Sequence, residues 1–89
     1  MEFGWHKAKR DKTLAERHID FAAVTIGFLD PRRLVARDDR RDYGEARFNM
    51  LAMCGPRLFH VTYTTRGAVT WIISARKAND REQRRYEKR

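Results

Sequence analysis

Cysteine and long apolar runs are scarce in this sequence of 89 residues. Its single cysteine, Cys54, excludes an internal disulfide framework and fits a reducing compartment, so we expect a cytoplasmic protein. No apolar run approaches the roughly 20 residues that cross a bilayer, and the first residues lack the apolar core of a signal peptide, so no membrane partner is expected. The histidines and the cysteine do not show metal-ligand spacing, and neither a metal nor another cofactor is expected.

Basic residues are present in excess. Twenty Lys and Arg against 12 Asp and Glu give a formal net charge of +8 at pH 7. Such a charge on so small a chain favours a polyanionic partner, either nucleic acid or an acidic protein. Because 42% of the residues are hydrophobic and 11% aromatic, the chain also has the apolar content to fold. We expect residues 1–89 to form one domain, too short for an enzyme with a deep interdomain cleft.

Alternating apolar residues predict three strands, separated by turns that contain glycine. The strands are expected over residues 47–53, 58–64 and 69–74. Short connections make them an antiparallel meander. Residues 3–5 and 34–36 are shorter and weaker strand candidates. The predicted fold is therefore α+β, with a small antiparallel sheet of three to four strands, two helices before it and one after it.

The two helices on the N-terminal side are predicted from helix formers and a cap. Residues 7–17 contain neither glycine nor proline. Asp20 is the expected N-cap of a second short helix, from residue 21 to about residue 26. Residues 37–43 carry charges of both signs, which is typical of a solvated loop. Trp5 and Trp71 are expected in the core, as is Cys54.

The final helix is predicted over residues 80–88, because Asn79 followed by Glu82 has the spacing of a capping box. It is nearly polar all round, with Tyr86 as its only large apolar residue. Such a helix gains little from packing on its own core, so we expect it to fray or to dock on a partner.

Several motifs together resemble the BrnT toxin family. On the C-terminal side they are GEARF at 44–48, YTTRG at 63–67 and IISARKANDREQRRYE at 72–87. Nearer the start they are LAERHIDF at 14–21 and FLDP at 28–31. Their order and spacing cover nearly the whole chain without gaps, and the stretch from residue 72 is the most specific.

The resemblance implies a concrete function. BrnT proteins are toxins of type II toxin–antitoxin modules and resemble the small RelE-like ribonucleases, with antiparallel strands and helices outside them. They cleave RNA and so arrest translation. The expected partners are an RNA substrate and a BrnA-type antitoxin, a DNA-binding protein that neutralises the toxin by direct contact. DNA is expected to be bound only through the antitoxin complex.

Two positions depart from the family pattern. His18 stands where the family usually has glycine at the end of the first helix, a position that favours positive φ. Histidine tolerates this conformation better than most residues, but at a cost. His6 stands where the family usually has aspartate, which predicts a weaker cap on that helix. Whether either change reduces activity is left open.

RNA can be cleaved by its own 2′-hydroxyl without a metal, if a base, a cationic group for the phosphorane and a proton for the leaving oxygen are supplied. The catalytic candidates are Arg76, Glu45, Arg47, Lys77 and Lys9. Arg76 and Lys77 are expected just beyond the last strand, as a phosphate clamp. Glu45 and Arg47 are two residues apart at the start of a strand, where they form either a base with a phosphate binder or a structural ion pair. Lys9 matches a family position.

Further residues are candidates for contacts with RNA or the antitoxin: Arg17, His18, Arg85 and Tyr86. Tyr86 either stacks on a base or anchors the last helix. His60 alternates with the core residues of its strand, so it matters only if the opposite face binds RNA. The last helix and an exposed strand edge are expected to bind the antitoxin, because neither has an expected partner within the chain.

Two other functions are compatible with the same basic composition. One is an RNA- or ribosome-binding module without catalysis, and the other is a toxin-like protein that has lost activity and sequesters a partner. Alanine substitutions separate them from a ribonuclease, in which one change abolishes cleavage while binding survives.

Overall fold

The computed structural model describes residues 1–89 and has an α+β fold. In chain order its elements are β1 (Glu2–Trp5), α1 (Lys7–Arg17), α2 (Phe21–Val24), a 3-10 helix (Thr25–Leu29), β2 (Leu34–Arg37), β3 (Phe48–Cys54), β4 (Arg57–Arg66), β5 (Val69–Lys77) and α3 (Asp80–Glu87). None of the helices combines the length and apolar character that crossing a membrane requires.

The sheet has five strands in the order β1-β5-β4-β3-β2. The predicted meander is confirmed, since β3, β4 and β5 pair antiparallel in sequence. The prediction of three to four antiparallel strands is wrong, because β1 adds to the sheet in parallel to β5 and makes it mixed. Most of the chain separates β1 from β5, so no short turn fixes its direction. Its place is instead fixed by packing, with Phe3 against Phe28 and Trp5 edge-on to Phe21.

The main core lies between one face of the sheet and the segment that contains α2 and the 3-10 helix. Phe21 and Val24 of α2 are fully buried there against Met50 and Ile72 of the sheet. Cys54 is buried in the same cluster as predicted, and burial raises the pKa of its thiol to about 11. This core leaves the opposite face of the sheet free for other contacts.

The helix α3 packs on that opposite face, over one end of the sheet. Its capping box is present, with the Asn79 side chain and the Glu82 side chain each accepting from the other residue's backbone N–H. Tyr86 packs against the cluster around Leu51, and its hydroxyl donates a hydrogen bond to Asp30 Oδ2 at 2.7 Å. The expectation that the final helix lacks a partner within the chain is therefore wrong, because Tyr86 docks it on the sheet.

The end of α1 shows the strain that the sequence implies. His18 is the only non-glycine residue with positive φ, at φ 58° and ψ 33°, and its N–H caps the helix by donating to Leu14 O at 3.0 Å. His6 at the other end makes no side-chain capping bond, as expected. Both departures from the family pattern thus fall where they weaken α1.

Replacing His18 with glycine is expected to stabilise the protein by about 0.5–1 kcal/mol, because glycine adopts this conformation without a Cβ clash. For a domain of this size the melting temperature rises by roughly 2–6 °C. Thermal unfolding followed by circular dichroism measures the change, and His18→Asn is the control with an intermediate effect. An unchanged or lower melting temperature for His18→Gly contradicts the assignment of strain to this residue.

Candidate active site

Polar side chains occupy the middle of the sheet face that α3 only partly covers. Asn49 of β3 pairs with Thr62 of β4, which pairs with Ser74 of β5, and the next pair along is His60 with Arg76. We call these five residues the polar face. Central strands usually carry apolar side chains on a face that another element covers. Because these positions are polar, this part of the face is suited to binding a polar molecule.

A β-bulge in β5 determines which side chains reach the polar face. Thr62 pairs with Ser74, but the next residue of β4 pairs two positions earlier on β5, which leaves Ile73 unpaired. An extra residue reverses the side on which all following side chains point. The bulge therefore places Ser74 and Arg76 on the same side as Trp71, whereas uninterrupted alternation would turn them into the main core.

The strand β5 also runs further than predicted. It ends at Lys77, so Arg76 and Lys77 lie within the strand and not beyond it, and they point to opposite faces. Arg76 lies on the polar face, whereas Lys77 is exposed on the other side, opposite Phe59 of β4. The two residues do not form one phosphate clamp.

A cleft of about 300 Å³ lies over the polar face and is lined entirely by polar residues. Arg17 of α1 lies on one side of it and donates to Ala75 O of β5 at 3.0 Å. Arg40, from the loop between β2 and β3, contributes a second guanidinium group. A smaller adjacent cavity shares Asn49 and His60 and extends to Arg85 of α3. No group of three or more His, Cys, Asp and Glu side chains is arranged to hold a metal ion.

A buried carboxylate holds the loop that carries Arg40. Asp38 accepts from Arg40 Nε at 2.9 Å and Nη2 at 2.8 Å, and from the Tyr43 hydroxyl at 3.1 Å. The Arg40 guanidinium keeps the pKa of Asp38 well below its usual range. The prediction of a solvated loop over residues 37–43 is therefore wrong for Asp38, which is buried and fixes Arg40 and Tyr43 in place.

Arg76 is joined to α3 by a two-bond ion pair. Its Nη1 and Nη2 donate to the two carboxylate oxygens of Glu82 at 2.8 and 2.9 Å. The pair lowers the pKa of Glu82 to about 2, chiefly through the Arg76 hydrogen bonds, and raises the pKa of Arg76. Glu82 thus orients the guanidinium at the edge of the cleft and fastens the start of α3 to β5.

The ion pair predicts a pH-dependent stability. Because folding lowers the Glu82 pKa from 4.5 to about 2, its contribution is complete above about pH 4.5 and disappears as the pH falls towards 2. After allowance for the partly exposed guanidinium, we expect Glu82→Gln to cost up to about 2 kcal/mol at pH 7. Urea unfolding of both proteins at pH 7 and pH 3 measures this. Asp38 and the other acids are present in both proteins. If the wild type and Glu82→Gln therefore lose the same free energy of unfolding between pH 7 and pH 3, the prediction is contradicted.

His60 lies in the centre of the site, since both cavities include it. Burial lowers the pKa of its imidazole, and the neighbouring Arg76 lowers it further, while Glu82 acts in the opposite direction. Both effects favour the neutral imidazole, which is able to accept a proton. The sequence placed His60 on this face without ranking it among the catalytic candidates.

Other candidates from the sequence lie in a second group, next to α1. Lys9 and Arg47 line a separate cavity, and Arg47 lies over the Tyr43 ring at 4.2 Å. Glu45 contacts Arg66 at 3.4 Å and Arg47 at 3.7 Å. Of the two alternatives for Glu45 and Arg47, this geometry matches the structural ion pair. Glu45 and Arg47 precede β3 and do not open it, because the strand begins one residue after Arg47.

The predicted contact residues are dispersed. Arg17 lines the cleft, and Arg85 is exposed beside the smaller cavity. His18 caps α1, and Tyr86 is held against the sheet as an anchor of the last helix. Several site residues have no counterpart among the predictions: Arg40, Asn49, Thr62 and Ser74. Their signal in the sequence is weak, because it consists only of polar residues alternating with apolar ones in central strands.

The comparisons with known proteins agree with the motifs. A family model described as the ribonuclease toxin, BrnT, of type II toxin–antitoxin systems matches residues 5–82. The matched region contains all of the polar face and extends to Glu82. A comparison with curated proteins finds no match.

Proposed function

This chain belongs to the BrnT family of ribonuclease toxins of type II toxin–antitoxin systems, and we propose that it cleaves RNA on its polar face. The observation that carries the proposal is the pairing of His60 with Arg76 at the base of a cationic cleft. A neutral imidazole and a fixed guanidinium are the two groups that metal-free RNA cleavage needs most. The whole of residues 1–89 then acts as one toxin domain.

The cleft is suited to a phosphodiester. Arg17 donates one N–H to the Ala75 carbonyl, and its other N–H groups are free to bind a phosphate oxygen. Glu82 holds the planar Arg76 guanidinium through Nη1 and Nη2, and Nε–H remains available to a phosphate oxygen. Asn49, Thr62 and Ser74 offer neutral hydrogen-bonding groups for the ribose. We therefore assign phosphate binding to Arg17 and Arg76.

The chemistry follows from this placement. His60 takes the proton of the 2′-hydroxyl, and the 2′-oxygen attacks the adjacent phosphorus. The bond from phosphorus to the 5′-oxygen breaks, and solvent protonates that oxygen. The products are a 2′,3′-cyclic phosphate and a 5′-hydroxyl. The guanidinium groups stabilise the extra negative charge of the phosphorane. We assign the base to His60 and not to Glu45, because Glu45 is held between two arginines outside the cleft.

Metal independence is part of the proposal. Its support is the charge of the cleft, which is lined by three arginines and no carboxylate. Guanidinium groups repel a divalent cation and at the same time supply the charge stabilisation that a metal provides in other nucleases.

The family implies an antitoxin partner and an RNA substrate. We further propose that the antitoxin is of the BrnA type, that DNA is bound only through the complex, and that the protein acts in the cytoplasm without a membrane partner. Because α3 is docked on its own sheet, the cationic cleft is a better candidate for the antitoxin contact than that helix. A net charge of +8 favours an acidic segment of the antitoxin there.

The test is incubation of the purified chain with end-labelled single-stranded RNA in the presence of EDTA. Cleavage that leaves 2′,3′-cyclic phosphate ends supports the proposal. Cleavage only after Mg²⁺ is added contradicts metal independence. Salt-sensitive binding of RNA without any cleavage contradicts catalysis and favours a binding module.

A further inference from the structure

A second cavity, of about 310 Å³, lies between α1 and the β5 edge of the polar face. Its walls include Lys9, Arg47, Arg66, Trp71 and Ile73, and we call it the Trp71 cavity. The expectation that Trp71 belongs to the core is wrong, because this half-buried residue pairs with Thr64 and lies on the same side of the sheet as the polar face. Trp71 and Ile73 thus form an apolar wall, and Lys9 and Arg47 form a cationic one. None of these four side chains belongs to the main core.

The cationic wall lacks enough negative charge of its own. Of its three cations Lys9, Arg47 and Arg66, the two arginines share one carboxylate, Glu45, and Lys9 forms no ion pair. Arg47 Nε is buried without a hydrogen-bond partner, since the nearest Glu45 oxygen is 3.7 Å away. The pKa of Lys9 is lowered by burial and then by the positive charges of Arg47 and Arg17. Like charges held together in this way favour an anion between them.

The apolar wall is suited to a planar ring. The Arg66 guanidinium lies over the Trp71 ring at 4.6 Å, which makes a flat cationic and aromatic platform. Unpaired RNA bases stack on aromatic rings and on guanidinium planes. A cavity of this size, with a platform on one side and two cations on the other, has room for one nucleotide.

The position of the cavity relates it to the cleft. Trp71 and Ser74 lie on the same side of β5, about 10 Å apart along the strand. Arg17, which lines the cleft, is close enough to Lys9 to lower the pKa of its amine. A single strand of RNA bound in the cleft therefore passes the Trp71 cavity with an adjoining nucleotide.

We propose that the Trp71 cavity is a subsite for a nucleotide next to the cleaved bond, with its phosphate on Lys9 and Arg47 and its base on the Arg66–Trp71 platform. The proposal rests on the proposed function for its RNA substrate. It assigns Lys9 and Arg47 to substrate binding and not to the reacting atoms. The preferred substrate is then single-stranded RNA longer than the dinucleotide that contains the cleaved bond.

The first test measures binding without catalysis, with a 2′-O-methyl oligonucleotide that cannot be cleaved. Trp71 fluorescence is expected to change on binding, and this change disappears in Trp71→Leu. Lys9→Ala and Arg47→Ala weaken binding by about tenfold and lower the salt slope by about 0.7 for each lost phosphate contact. Lys88→Ala removes an exposed charge at the end of α3 and is the matched control. Equal binding by wild type, Lys9→Ala and Arg47→Ala overturns the proposal.

The second test compares cleavage of a dinucleotide and of a longer RNA. The wild type is expected to have a KM about tenfold lower for the longer RNA than for the dinucleotide, and Lys9→Ala is expected to lose this preference. A loss of kcat on both substrates overturns the proposal, because it makes Lys9 part of the reaction. If the wild type cleaves neither substrate but the binding pattern holds, catalysis is refuted while the subsite stands.

Discussion

Arg76→Ala is expected to lower kcat for RNA cleavage by about 10²–10³-fold, the usual cost of removing one preorganised group that stabilises developing charge. Arg76 lies on the polar face, where the bulge directs it, and Glu82 holds its guanidinium with two hydrogen bonds. Arg76→Lys is expected to recover little of this loss, because an ammonium group cannot bind two oxygens in one plane. Single-turnover cleavage of labelled RNA measures the rate directly.

The matched control for this prediction is the neighbouring residue. Lys77→Ala also removes one positive charge from β5, but from the opposite, exposed side, so the cleavage rate is expected to stay unchanged. Circular dichroism and thermal unfolding of Arg76→Lys show whether α3 remains docked once the paired hydrogen bonds to Glu82 are altered. Equal losses in Arg76→Ala and Lys77→Ala mean that general charge matters and the cleft does not.

His60→Ala is expected to lower kcat by about 10²–10⁴-fold, the range typical of a lost general base. The wild-type rate is expected to rise with pH to a plateau, with its midpoint below the ordinary pKa of histidine, because burial and Arg76 lower the pKa of this imidazole. The charged groups that face it are Arg76 from β5, Arg40 from the loop, and Glu82 and Arg85 from α3. Arginine side chains stay charged throughout the range from pH 5 to 8, and the lowered pKa of Glu82 lies well below it, so we assign this part of the profile to His60.

The pH–rate profile of the variant separates catalysis from structure. In His60→Ala the acid limb disappears, and added imidazole restores part of the rate by taking up the vacated position. His18→Asn changes a histidine at the end of α1 and is the control, in which the rise of the rate with pH is expected to remain. A His60→Ala protein that retains the same pH dependence shows that another group is the base.

Local signals in the sequence predicted much of the fold. The bounds of α1 agree residue for residue, and the capping box of α3 is present. Both depend on neighbouring residues only, which is why composition and spacing suffice for them. The parallel pairing of β1 with β5 was not predictable in this way, because the direction of a short strand is fixed by distant partners such as Phe28 and Phe21.

The site was less predictable than the fold. The motifs identified the family and singled out Arg76, but strict alternation from Trp71 gives the wrong side for every residue beyond Ile73. The bulge that corrects this has no glycine or proline to mark it. The burial of Asp38 within a charged loop, and the resulting position of Arg40 at the cleft, also depend on tertiary contacts. Sequence patterns therefore gave the residue types of the site but not their grouping.

A map of the residues that RNA contacts tests most directly whether the polar face is the RNA-binding site. Amide chemical shifts of the isotope-labelled protein are recorded with and without a 2′-O-methyl RNA that resists cleavage. The largest changes are expected on the polar face, at Asn49, His60, Thr62, Ser74 and Arg76. Changes confined to the other side of the sheet, around the exposed Ile26 and Leu29 of the 3-10 helix, show that RNA does not bind the polar face.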